Sequence, residues 1–157
     1  MTNAEFYIAL LKATVYTLIF ILIAGIAGGI APAHAEFAYY PLTKTERAEI
    51  EMVVMAEAGG ECHLGQRAVA QCILSACLRD DLRPLEAVRV YGYTRARKKP
   101  TRSVKDAVKA VFDYGALAVD AEIDIFYAPK RVKSDWHESQ EFVVEIGNHR
   151  FFRMKGD

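Results

Sequence analysis

The sequence predicts an α+β domain, mainly α, whose helices come first and whose small antiparallel sheet closes the C-terminal end. Three observations carry that prediction. Between residues 44 and 118 apolar side chains recur at three- and four-residue spacing: Ile50, Val53 and Val54; Val69, Cys72, Ile73 and Ala76; Val104, Ala107, Val108 and Val111. That is the stripe a helix turns toward a core. From Ile123 the period falls to two, in Ile123, Ile125 and Tyr127 and again in Phe142, Val144 and Ile146, the alternation of a half-buried strand. The chain's 157 residues suffice for one domain of ordinary size and not for two.

Taken in order, residues 1–35 stand apart from that domain. Val15 to Ala31 is almost wholly apolar and follows a lone Lys12, and Ala33 and Ala35 supply the small residues of a signal-peptidase site. The run is long for a signal peptide and nearly long enough to span a bilayer. A cleaved signal peptide and an uncleaved N-terminal anchor are therefore the two readings. Both export residues 36–157, and both confine membrane contact to the leader.

After Pro41, Thr43-Lys44-Thr45-Glu46 matches a capping box and starts a helix running to about Ala58. Gly59 and Gly60 supply the left-handed residue that ends many helices. A second helix is expected from about Leu64 to Arg79, its small residues (Ala68, Ala70, Ser75, Ala76) letting another helix approach closely. Asp80-Asp81 marks a turn, and Pro84 opens a short helix to Val90. Tyr91-Gly92-Tyr93-Thr94 and a basic loop lead to Pro100. Ser103-Val104-Lys105-Asp106 resembles another capping box, ahead of a helix expected to reach about Ala118. The first strand stops at Pro129, and Gly147-Asn148 is a tight-turn pair before the last strand.

The stretch with chemical interest is Met55 to Ala70. Glu57 extends the Ile50, Val53, Val54 stripe at i+7, so its carboxyl should face the core from the last turn of the first helix. The negative end of the helix dipole and burial both oppose a charged carboxylate there, and a carboxyl that keeps its proton is a proton donor. By pattern alone, a glutamate at a frayed helix end pointing to water is an equal reading.

Composition removes other classes. The chain is formally neutral, which gives no electrostatic reason to expect nucleic acid. The basic group Arg95, Arg97, Lys98, Lys99 and Arg102 reads as a solvated loop, with contact to an anionic polymer as the lesser alternative. Cys62, Cys72 and Cys77 make an odd count, and Cys72 and Cys77 lie five apart on one helix, poorly placed for a bridge; they read as small hydrophobes. With no CxxC pair and no HxxxH spacing, no metal and no other cofactor is expected.

Glu57-Ala58-Gly59-Gly60-Glu61, Gly65-Gln66, Ala68-Val69-Ala70 and Ile73-Leu74 together resemble the cell wall hydrolase family of the spore-cortex-lytic enzymes, the SleB/CwlJ type. The likeness continues through Tyr93-Thr94, Phe126-Tyr127-Ala128-Pro129 and Trp136 to Ile146-Gly147-Asn148-His149 with Phe151-Phe152. It implies a helical domain similar to lysozyme and lytic transglycosylases, acting on the glycan strands of peptidoglycan; separately from the resemblance, a monomer is expected. The resemblance also implies that Glu57 is the catalytic acid. One departure is Ser75, where the family usually has asparagine after Ile-Leu.

Glycosidic cleavage needs a proton on the leaving oxygen and usually a second carboxylate. None is evidently paired with Glu57, because the two glycines should send Glu61 elsewhere. That suits a lytic transglycosylase, in which one carboxyl serves as acid and then as base, though hydrolysis stays open. Tyr93, Thr94, Tyr127, Trp136 and His149 are the candidate substrate-binding residues. Tyr127 reads equally well as packing, and His149 as a structural histidine. The rivals are an amidase or peptidase cutting the stem peptide, and a wall-binding module without catalysis.

Overall fold

The computed structural model describes residues 40–156; the leader and its two readings lie outside them. Four helices of two turns or more come first: α1 (Lys44–Ala58), α2 (His63–Arg79), α3 (Pro84–Val90) and α4 (Arg102–Tyr114). They are followed by β1 (Ile125–Tyr127), the single-turn α5 (Asp135–Glu138), β2 (Glu141–Ile146) and β3 (His149–Arg153). The domain is mainly helical with a small antiparallel sheet, as the periodicities predict.

The helix starts follow their caps. At α1 the Thr43 hydroxyl accepts from the Glu46 amide and Glu46 Oε2 accepts from the Thr43 amide at 2.9 Å, a complete capping box. The same carboxylate takes two bonds from Arg83, at 2.9 and 2.5 Å, so the box also ties α1 to the start of α3. Pro84 begins α3 as expected.

α2 is the central helix, packed against α1, α3, α4 and β1. Its Ala68, Ala70 and Ala76 are fully buried, which lets its neighbours come close. Ile50, Val53 and Val54 of α1, Val69 and Ile73 of α2, and Val104, Val108, Val111 and Phe112 of α4 form one core with Phe151 of β3.

Three local expectations are corrected. Neither Gly59 nor Gly60 is left-handed: Gly59 has φ −61°, and the positive-φ glycines are 92, 115 and 147. Gly59 is needed for space instead, since a Cβ there would lie 2.4 Å from the Met55 carbonyl oxygen and 2.7 Å from that residue's terminal methyl. α4 is capped by Thr101, whose hydroxyl accepts from the Val104 amide, and not by Ser103. The Ser103 hydroxyl is engaged elsewhere, donating to the buried Gln66 Oε1 at 2.7 Å. The helix also stops at Tyr114, short of Ala118, because Gly115 turns left-handed (φ 60°) and Ala116 bonds back to the Ala110 carbonyl.

Beyond Gly115 the chain is claimed by α2. Arg67 donates to the carbonyls of Ala116 and Leu117. The buried Gln71 donates to the carbonyls of Val119 and Ala121 and accepts from the amides of Ala118 and Val119. Its side-chain amide thereby makes all four of its hydrogen bonds.

The sheet order is β1-β3-β2, antiparallel throughout. A bulge between Phe142 and Val144 breaks the alternation in β2. Phe142 is consequently exposed, and the Arg150 guanidinium covers its ring 4.6 Å from the centroid. The β2–β3 turn is the expected Gly147-Asn148, with positive φ at Gly147 alone.

Candidate active site

Glu57 projects from the last turn of α1 and is half-buried. Its Oε1 accepts a 2.7 Å hydrogen bond from the Thr94 amide. That amide is presented by the loop after α3, where Gly92 takes φ +68° and the Tyr93 amide bonds to the Val88 carbonyl. Glu57 Oε2 has no protein partner among the described residues.

Two cavities share Glu57 as a wall. One, about 510 Å³, is largely aromatic: Tyr91, Tyr93, Phe126, Trp136 and His137 line it. The other, about 430 Å³, is polar and is lined by Glu61, Lys98, Arg131, Asn148 and His149 among others. Glu57 thus stands where an aromatic arm meets a polar arm, the placement expected of a group acting midway along an extended ligand.

Sequence reasoning missed Glu61. The diglycine does not send it away; it delivers the carboxyl into the polar arm, against the β2–β3 turn. Glu61 Oε2 accepts from the Asn148 amide at 3.1 Å, and Oε1 from Asn148 Nδ2 at 3.0 Å. Its own carbonyl accepts from Gln66 Nε2, so the backbone is held as well. Gly147 is what allows this approach, because a Cβ there would fall 1.9 Å from Glu61 Oε2. Burial opposes ionisation of Glu61, but the two Asn148 bonds, with His149 and Arg131, outweigh it and hold its pKa below the ordinary carboxylate value. The available signal was the pairing of Glu61 with a Gly-Asn turn 87 residues away, which no local period encodes.

His149 is buried, with its Nδ1 3.6 Å from Glu61 Oε1 and its ring edge-on to Phe126, 5.3 Å between centroids. Nδ1 makes no hydrogen bond among the described residues. Burial lowers the His149 pKa against the opposing charges of Glu61 and Glu57, so the imidazole is neutral near pH 7.

The other candidates divide. Tyr93 lines the aromatic arm, packs on Phe126 and has its hydroxyl pKa pushed well up by burial. Trp136 lines the same arm and is 53% exposed on the short helix α5. Thr94 contributes its backbone amide. Tyr127 lines neither cavity: its ring stacks on Phe152 and its hydroxyl bonds to Glu138, the packing role that the sequence left open.

Two of the three cysteines, Cys72 and Cys77, offer little nucleophilic character. Burial drives the Cys72 thiol well above its usual pKa and the Cys77 thiol up to about 12. Cys62 is exposed, ahead of α2, with His63 its neighbour in sequence. Among the described residues no three His, Cys, Asp or Glu side chains converge as a metal site would require, and no helix is long and apolar enough to cross a membrane.

No family model matches the chain, and no curated protein matches it. Solved structures do. The fold is similar to the catalytic domain of the germination-specific lytic transglycosylase SleB from Bacillus anthracis, with 21% identity and a TM-score of 0.51, covering 73% of this chain and 100% of that one. It is equally similar to the catalytic domain of the Bacillus cereus SleB protein, with 20% identity and a TM-score of 0.51 over 77% of this chain and 99% of that one. The lytic-transglycosylase-like fold implied by the motifs is the fold found.

Proposed function

We propose that this domain cleaves the glycan strand of peptidoglycan, by lytic transglycosylation, with Glu57 as its one general acid and base. The observation carrying the proposal is the unequal state of the two carboxyls. Glu61 has both oxygens bound by Asn148 and is held ionised, so it has no proton to give. Glu57 has one bonded oxygen and another open to a groove with an aromatic wall. Sugar rings present flat C–H faces that suit Tyr93 and Trp136. The SleB domains that share the fold include one named a lytic transglycosylase, which supports the same reaction.

In this reading Glu57 protonates the glycosidic oxygen as the C1–O bond breaks and positive charge develops on the muramyl ring. The resulting carboxylate then takes the proton of the ring's own C6 hydroxyl, whose oxygen closes on C1. The product is a 1,6-anhydro end and no water is consumed. The Thr94 amide holds the carboxyl in place through both transfers. The leader of residues 1–35 would deliver the domain to the wall.

The test is digestion of purified peptidoglycan by the protein and by Glu57→Gln, with products identified by mass spectrometry. Anhydromuramyl ends are expected from the parent, and at least about a hundredfold less product from the variant. Reducing ends would replace transglycosylation by hydrolysis, with Glu61 then a candidate partner carboxylate. Free stem peptides, or an undiminished Gln variant, would overturn the proposal.

A further inference from the structure

The polar arm carries two cations, Lys98 and Arg131, of which Arg131 also acts through space on Glu61. Lys98 and Arg131 line it and are exposed, and among the described residues neither side chain is held by an ion pair or hydrogen bond. Their neighbours differ. Arg97 is tied to Glu49 at 2.7 Å and Arg150 to Glu138 at 2.6 Å. Of the carboxylates that line the arm, Glu61 has both oxygens bonded to Asn148 and Glu57 has one bonded to Thr94. Asn148 is fixed from its other side too, since Lys130 Nζ donates to its Oδ1 at 3.5 Å. Among the described residues, the arm is therefore a polar cleft lined by one acid with both oxygens bonded, Glu61, by one with a free oxygen, Glu57, and by two cations that no hydrogen bond or ion pair holds, although Arg131 acts on Glu61 through space.

An aromatic arm and a cationic arm meeting at one acid impose a direction on the ligand. We propose that Lys98 and Arg131 form a subsite for the carboxylates of the peptide substituent on the muramyl residue beside the scissile bond. The proposal rests on the glycan-cleavage reading for the identity of that ligand. A strand laid across Glu57 places one sugar against Tyr93 and Trp136 and the next over the polar arm. The lactyl ether of a muramyl ring roots an anionic peptide close to the bond being cut, where charge-assisted hydrogen bonds from a lysine and an arginine meet it. A neutral glycan without peptide would leave both cations unused.

Binding can be read without cleavage. Isothermal titration of the Glu57→Gln protein would use a soluble muramyl peptide ending in free carboxylates, and the same compound with those groups converted to carboxamides. The free acid should bind about tenfold more tightly than the amide, the scale of one charge-assisted contact. Adding Arg131→Gln and Lys98→Gln together should bring the acid down to the amide's affinity while leaving the amide's unchanged. Equal affinities for acid and amide, or a loss that falls on both alike, overturn the subsite. Selective binding by a protein whose parent leaves the wall uncut would sink the cleavage reading alone. Wall cleavage without discrimination would sink the subsite alone.

Discussion

Replacing Gly147 with alanine tests the contact between Glu61 and the β2–β3 turn, and Gly92 provides its control. Both glycines sit at similar positive φ, +63° and +68°, so both substitutions carry the left-handed penalty of about 1–2 kcal/mol, reduced by the entropy alanine removes from the unfolded chain. Around Gly92 a new Cβ meets nothing within 4 Å, so Gly92→Ala should cost about 1 kcal/mol. At Gly147 the Cβ falls 1.9 Å from Glu61 Oε2 and 3.1 Å from its carboxyl carbon, which forces the carboxylate off Asn148. Two hydrogen bonds to an ionised acceptor are then lost or bent, and with partial recovery through water the excess is about 2 kcal/mol. Gly147→Ala should therefore lose about 3 kcal/mol in all, or roughly 10 °C in Tm for a domain of this size. Urea unfolding followed by far-ultraviolet circular dichroism measures both variants. A difference between them under about 0.5 kcal/mol would refute the contact, as would a Glu61→Ala/Gly147→Ala double variant whose cost equals the sum of the singles.

Other outcomes follow from the same geometry. Gly59→Ala should destabilise by about 2 kcal/mol although its φ suits any residue, because the methyl meets the Met55 carbonyl; a loss below about 0.5 kcal/mol in urea contradicts this. Trp136→Ala, at an exposed ring, should raise KM on peptidoglycan several-fold while moving the unfolding midpoint by less than about 0.5 kcal/mol; an unchanged KM removes Trp136 from the cleft. Acid should destabilise the fold in two stages. His149 and His137 are held by burial below the usual histidine value, so as pH falls through about 6.5 the unfolded chain binds protons the folded one refuses, and stability drains. Glu46 and Glu61 lie below the ordinary carboxylate value, so what they contribute is lost only below about pH 4.3. His149→Gln should flatten the upper stage, and a parent profile already flat from pH 7 to 5 would disprove it.

The sequence made legible much of what is decided within one element. Thr43, Glu46 and Pro84 mark helix starts by chemistry completed within a turn, and Glu57 falls on the core-facing side by spacing alone. Three of the misreadings share a cause in contacts that cross the fold. Ser103 is a good cap by type, but its hydroxyl belongs to Gln66 on another helix. The stripe of α4 could continue past Tyr114, but Arg67 and Gln71 hold the backbone that would have to coil. A broken helix says nothing about the direction of Glu61, which comes from Gly147 and Asn148. Half of the candidate site was thus readable as a motif, and the other half existed only as a juxtaposition of two motifs.

The hold of α2 on residues 116–121 separates where a shape is written from where it is worn. That segment forms no helix or strand, and what fixes its path is four bonds to one glutamine and three from one arginine, all made to peptide groups. Peptide groups are the same whatever side chain they carry. The stretch from Ala116 to Ala121 can therefore drift in sequence while keeping its course, so long as the pattern on α2 stays. A search for relatives that weighs the loop's own letters would look in the wrong place; Arg67 and Gln71, four residues apart on one helix face, are its memory.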